Sequence, residues 1–119
     1  MRDKEFNDFV SELQSEIDNY KNDTLKLSKN QIYDNSYEIQ AMESLCGYLM
    51  NDGQKYRRSD FPKDKILETF YWRFMKTDYD LTRADLSDFF YFEIQDRRKI
   101  QRKLKNQEEM SWTVLIMKV

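Results

Sequence analysis

The sequence predicts an all-α fold, a compact bundle of about four helices in which residues 1–119 form a single domain. Only two Gly and one Pro occur in 119 residues, whereas sheet-rich folds need turn residues at regular intervals. Apolar side chains recur three and four residues apart in four segments, which is the period of an amphipathic helix. Aromatic residues make up 15% of the chain. Because each ring buries a large area, they favour a folded core over disorder.

The first predicted helix covers residues 3–20. Its apolar positions, which begin at Phe6 and end at Tyr20, form one stripe along the helix. The opposite side is acidic, and we expect it to face solvent or a protein partner. Its four carboxylates, all candidate partner-binding groups, belong to Glu5, Asp8, Glu12 and Glu16.

The second predicted helix begins at Ser28 and runs to about Asn51. Ser28 and Gln31 have the spacing of a capping box, and Gly53 is expected to end the helix in a left-handed conformation. The segment 39–50 is apolar nearly all round, which is typical of a helix at the centre of a bundle. Cys46 lies in this segment and is expected to be a core residue, with a reactive thiol as the alternative.

The third predicted helix covers about residues 62–76. Pro62 stands just inside its start, where the missing N–H of a proline is tolerated. Trp72 falls outside the apolar face of this helix. We therefore expect its ring to contact another element or solvent, and we include it among the candidate binding residues.

The fourth predicted helix runs from about residue 83 to residue 109, with Thr82 as its cap and Asp85 three residues later. This is long for a domain of this size. Its apolar stripe consists of Leu86, Phe89, Phe90, Ile94, Ile100 and Leu104.

A basic segment lies in the second half of that helix. The chain has a net charge of −2, yet residues 97–105 contain six basic residues and no acid. This segment could be a solvated face, a surface for an acidic protein, or a nucleic-acid contact; a fourth interpretation pairs it with the acidic first helix. The pI of about 5.3 argues against a dedicated nucleic-acid binder. The candidate residues opposite the apolar stripe are Arg98, Lys99, Arg102, Lys103 and Lys105.

The residue types that usually carry catalysis or metal binding are scarce. The chain has no His and one Cys, which removes the commonest general base and leaves no ligand set for zinc. The densest acidic cluster is Asp78, Asp80, Asp85 and Asp88. As a calcium loop it has Arg83 and Phe89 where Gly and Glu are needed. Asp80 and Asp85 are expected to stabilise a helix N-terminus; the alternative is an enzyme that binds magnesium through this cluster. We predict no catalytic residue, no cofactor and no metal, and hence not an enzyme.

The expected compartment follows from similar absences. The first residues contain no apolar core of a secretory signal, and no run approaches the length of a membrane span. A single Cys allows no intramolecular disulfide. We therefore expect a cytoplasmic protein that does not contact membranes.

The last nine residues, 111–119, are apolar and rich in strand-forming residue types. They can extend the fourth helix or form a short strand. As a helix they would present Trp112, Leu115, Ile116 and Val119 at spacings of three and four. Such a tail either packs on the core of its own chain or forms the interface of a homodimer or of a complex with another protein.

Residues 28–80 resemble a small family of uncharacterised bacterial proteins, classed as a domain of unknown function. The resemblance lies in "SKNQIYDNSYEIQAMESLCGYL" and in "LETFYWRFMKTD". It implies an accessory protein of a phage or conjugative element of gut bacteria and supplies no catalytic residue. The matching positions in the first stretch are Ile32, Tyr37, Glu38, Glu43 and Leu45.

Together these observations lead to two functional hypotheses. The first is a non-enzymatic protein-binding accessory protein, in its most specific form an inhibitor of a bacterial defence complex of the anti-CRISPR kind. An acidic helix would then cover a basic nucleic-acid channel. The alternative is a nucleic-acid-binding regulator that uses the basic segment 97–105.

Overall fold

The computed structural model describes the backbone of residues 1–117 and the side chains of residues 1–107. Within this part of the chain the backbone is built from helices joined by turns and contains no strand. The predicted all-α class is confirmed. The α-helices are α1 (Asp3–Leu25), α2 (Lys29–Asp34), α3 (Ser36–Asp52), α4 (Ile66–Phe74) and α5 (Arg83–Met117), and two 3₁₀ turns occupy Gly53–Lys55 and Arg58–Asp60.

Helix α3 forms the centre of the fold, as predicted. It packs against α1, α4 and α5, and its buried side chains include Leu45 and Leu49, which have no exposed surface. Cys46 is also buried, in agreement with the prediction of a core residue.

Aromatic rings connect α3 to the other elements. Tyr48 of α3 stacks on Phe90 of α5, with ring centroids 5.2 Å apart. Phe70 of α4 lies 5.1 Å from Phe90 and 5.8 Å from Phe61. This network closes the core between α3, α4 and the first half of α5.

The predicted second helix is divided in two. The capping box is present, since the N–H of Gln31 donates to Ser28 Oγ at 3.2 Å and the N–H of Ser28 donates to Gln31 Oε1 at 2.9 Å. The helix that it caps, α2, ends at Asp34, however. The side-chain amide of Asn35 donates to the carbonyl of Gln31 at 2.8 Å, and such a local bond competes with a continuous helix.

The expectation of a left-handed Gly53 is wrong. Its φ of −72° and ψ of −17° are right-handed, because the chain continues directly into a 3₁₀ turn. The missing side chain serves packing instead, since a Cβ at this position would lie 3.3 Å from Phe9 Cε1.

The prediction that the third helix begins near Pro62 is also wrong. Helix α4 begins at Ile66, after Lys65 has adopted a left-handed φ of 51°. Its cap comes from α1: the carboxylate of Glu16 accepts from the N–H of Leu67 at 2.9 Å and from the N–H of Glu68 at 3.0 Å. Two open amides at the start of a helix favour an anion, so the carboxylate of Glu16, although distant in the chain, caps α4.

Helix α5 extends through Met117, so residues 111–117 continue the helix rather than form a strand. Its start agrees with the prediction, because Thr82 Oγ1 accepts from the N–H of Asp85 at 3.2 Å. Residues 118 and 119 lie outside the described part of the chain.

Candidate partner-binding site

The second half of α5 leaves the body of the fold. Every residue from Lys99 to Gln107, a stretch that we call the exposed end of α5, is exposed to solvent. The first four residues of the predicted stripe are buried, but Ile100 and Leu104 are 59% and 56% exposed. The predicted stripe is therefore buried only as far as Ile94, because no other element of residues 1–107 covers Ile100 and Leu104.

A buried carboxylate anchors α5 where the exposed end begins. The side chain of Asp60 has no exposed surface, and its two oxygens accept from Arg98 Nε at 2.8 Å and from Arg98 Nη2 at 2.6 Å. Arg57 donates to the same carboxylate through its backbone N–H at 2.9 Å and its guanidinium at 3.2 Å. Arg97 Nε donates to the carbonyl of Asp60 at 2.8 Å. We call these four residues the Asp60 clamp.

The clamp changes the interpretation of Arg98. Burial by itself would raise the pKa of Asp60, but the hydrogen bonds from Arg98 and Arg57 outweigh it and lower the pKa below its usual value. Asp60 is therefore ionised at neutral pH, and it holds Arg98 in a bidentate pair. Arg98 thus has a partner within the fold, and its role as a partner-binding cation stays a prediction.

The other predicted cations lie on the surface. Beside the clamp, α5 and Arg57 border a polar cleft of about 620 Å³. Gln101 on its wall donates to the carbonyl of Ser59 at 3.0 Å. The exposed cations of this end are Lys99, Arg102, Lys103 and Lys105.

Two of the four carboxylates on the acidic face of α1 are engaged in contacts within the fold. Glu12 forms a bidentate pair with Arg58, at 3.0 and 3.3 Å, and Glu16 caps α4. These two carboxylates make contacts within the fold, and their role in partner binding stays a prediction. Glu5 and Asp8 are exposed. Among the described residues no ion pair joins α1 to α5, so the predicted pairing of the two helices is not observed.

Trp72 lies at the edge of a groove between α1, α3 and α4. Its ring is 60% exposed, as the sequence indicated, and its centroid is 5.3 Å from that of Tyr71. The groove has a volume of about 460 Å³, and Tyr20 and Met42 also line it. We call it the acidic groove, because four carboxylates and one ammonium line it, those of Glu16, Asp23, Glu38, Glu68 and Lys65.

The carboxylate of Glu38 sets the electrostatics of this groove. Burial and then the charge of Glu38 raise the pKa of Tyr20 to about 12. The same two causes raise the pKa of Tyr71. Both phenols therefore stay neutral beside a half-buried carboxylate that has no hydrogen-bond or ion-pair partner among the described residues. A negative potential in a groove walled by rings is an environment that favours a cation.

The acidic cluster at the start of α5 has a structural role. Asp85 accepts from the N–H of Asp80 at 2.7 Å, as expected for a carboxylate at a helix N-terminus. Among residues 1–107, no group of three or more metal-ligating side chains lies together.

The thiol of Cys46 is shielded. Burial, and next the charge of Glu16, raise its pKa to about 11. The thiolate, which is the nucleophilic form, is therefore scarce at neutral pH.

Three of the candidate residues have side chains outside the described part: Trp112, Leu115 and Ile116. Asp60 and the groove carboxylate Glu38, by contrast, were not among the candidates. The signal for Asp60 was weak, a lone acid in a segment of basic and aromatic residues. Glu38 was noted only for the resemblance of its segment, since nothing local indicates that Tyr20 and Trp72 lie nearby.

The chain was compared with protein-family models, with curated proteins and with solved structures, and none of them matches it. None of the described helices combines the length and the apolar character that a bilayer span requires.

Proposed function

We propose that this protein is a small, non-enzymatic binding protein that uses the exposed end of α5 to engage another protein. One observation carries the proposal: Ile100 and Leu104, which continue the buried stripe of α5, are more than half exposed. Amphipathic helices commonly bind by laying such residues in an apolar groove of a partner. Cations on the other side of the helix favour a partner whose groove has an acidic rim.

The test is capture of a partner with the wild-type chain and with a variant carrying Ile100→Glu and Leu104→Glu. Because both side chains are exposed, the free energy of unfolding of the variant should differ from that of the wild type by less than about 0.5 kcal/mol. We expect a partner to bind the wild type and not this variant. The control is Glu5→Lys with Asp8→Lys, which reverses the free acids of α1. If the control loses the partner and the first variant retains it, the acidic helix is the binding element and the proposal is wrong.

In its narrower form the proposal is a cytoplasmic inhibitor of a bacterial defence complex, of the anti-CRISPR kind, carried by a phage or conjugative element. The resemblance of residues 28–80 and the small size of the chain support this form. Glu12 and Glu16 are engaged within the fold, so the contact would use α5 rather than the acidic helix. Capture from a host with active defence systems should recover a component of one; recovery of none would reject this form.

A nucleic-acid-binding regulator is the second candidate, and the polar cleft beside Arg102 and Lys105 favours it. Affinity should then fall steeply with salt, because released counterions drive such binding. Arg102→Glu with Lys105→Glu should abolish it. Arg98 is left intact in this test, since its reversal would break the Asp60 clamp. Unchanged affinity of the double variant for DNA and RNA would exclude this candidate.

A further inference from the structure

Two surfaces of this chain have opposite charge and do not meet within one molecule. The exposed end of α5 carries cations and no acid up to Lys105. The acidic groove lies between three other helices. Since residues 99–107 are all exposed, neither surface neutralises the other inside the chain.

From this complementarity we propose that the acidic groove binds the basic side of the exposed end of α5 from a second copy of the chain. The inference rests on the proposed role of the exposed end of α5 as a protein-binding element. It identifies a second copy of the chain as the protein that contacts the basic side of this helix. Each copy has one groove and one exposed end, so two such contacts related by a two-fold axis close a dimer.

The groove provides two kinds of contact for a basic side chain. Glu38 and Glu68 have no hydrogen-bond or ion-pair partner for their carboxylates among the described residues, so both are available to a guanidinium or ammonium group. Arginine pairs with carboxylates through two parallel hydrogen bonds. The exposed ring of Trp72 offers its face to the same cation.

The dimensions limit how the two surfaces meet. A volume of about 460 Å³ is in the usual range for a ligand pocket, which is too small for a helix but sufficient for side chains. Nine helical residues extend over about 13 Å. The exposed end therefore lies across the mouth of the groove, and the side chains of Lys99 and Arg102, one turn apart, enter it.

Direct pairing of two exposed ends is the competing arrangement. If residues 99–105 of two copies lay side by side, their cations would face one another with no acid between them. Like charges at such distances repel and suppress association. The acidic groove removes this repulsion, which is why it is the preferred site.

The experiment measures the mass of the full chain in solution by light scattering, from micromolar to millimolar concentration and at low and high salt. The groove variant carries Glu38→Lys and Glu68→Lys, and the helix variant carries Lys99→Glu and Arg102→Glu. Glu16 is kept in both, because it caps α4. Circular dichroism establishes that each variant is folded.

We expect the wild type to reach the mass of two 14.7 kDa chains at low salt and to dissociate as salt is raised. Each variant alone should have the mass of one chain. An equimolar mixture should regain the dimer, since both contacts between the two variants are again between opposite charges. The control Glu5→Lys with Asp8→Lys makes a similar change of charge elsewhere and should dimerise like the wild type.

Three results would overturn the inference: a monomeric wild type at every concentration, a groove variant that still dimerises, or a mixture that does not recombine. The second would indicate that the exposed ends pair directly. None of these bears on the capture experiment with Ile100→Glu and Leu104→Glu, which tests the proposed function through the apolar side of the same helix.

Discussion

Removal of the charge of Asp60 is expected to be among the most damaging conservative substitutions in this protein. Asp60→Asn keeps the size of the side chain but leaves Arg98 and Arg57 without their anion. Loss of one partner from a buried ion pair costs about 3–5 kcal/mol. The Arg98 side chain is 26% exposed and that of Arg57 is 61% exposed. Water can therefore hydrate both guanidinium groups, which reduces the destabilisation.

We therefore expect a decrease of about 3 kcal/mol in the free energy of unfolding. Since domains of this size have a total stability of about 5–15 kcal/mol, the protein should remain folded but melt about 10 °C lower. Urea denaturation at pH 7 measures the difference. The matched control is Asp64→Asn in the same loop, an exposed residue whose replacement should change stability by less than about 0.5 kcal/mol.

The pH dependence provides the sharper test. The hydrogen bonds of the clamp lower the pKa of Asp60 in the folded state, below its unfolded value of about 3.9. Its contribution is then fully present above the unfolded pKa and is lost as the pH falls through the folded one. The difference between wild type and Asp60→Asn should be constant from about pH 5 to 8 and should shrink below about pH 4. A difference under about 1 kcal/mol at pH 7, or one that does not change down to pH 3, would refute this account.

Three further predictions concern single side chains. Glu16→Gln should destabilise the protein by about 1 kcal/mol in urea denaturation, because a neutral amide replaces the anion that caps α4; no loss would show that the cap is dispensable. Gly47→Ala should stabilise it by about 0.5–1 kcal/mol in the same assay, because a Cβ in this helical position meets nothing within 4 Å. Cys46, with its pKa raised to about 11, should react with a thiol reagent at pH 8 only after unfolding in urea, and rapid reaction of the native protein would contradict its burial.

The helical segments were predictable because their causes are local. The period of apolar residues identified α1, α3 and α5, and the capping box at Ser28 and Gln31 is present as expected. Each of these features depends on residues within a few positions of one another. The side chain of Asn35 also acts locally, but the helical pattern of the residues around it is the stronger signal. The sequence therefore does not predict the break after α2.

The errors arose where a distant residue determines the local structure. The start of α4 depends on Glu16, about fifty residues earlier in the chain. Gly53 begins a 3₁₀ turn, and its lack of a side chain fits the close approach of Phe9, a residue 44 positions earlier in the chain. Arg98 looked like a surface cation because its partner, Asp60, is 38 residues away. Periodicity and propensity contain no information about such pairs, so the candidate site could be predicted only as a set of separate helix faces.

The stripe of α5 shows why this limitation matters for function. Phe90 and Ile94 on the buried side are four residues apart, and so are Ile100 and Leu104 on the exposed side, so this spacing alone does not distinguish buried from exposed residues. The Asp60 clamp locates the boundary between them, because Arg97 and Arg98 bind Asp60 of the 3₁₀ turn directly before the exposed end begins. A helix without tertiary contacts is marginal in water, and the clamp fixes the base from which this one extends. The buried ion pair and the exposed apolar residues are therefore linked: the same carboxylate that stabilises the fold also determines which part of α5 is exposed to solvent.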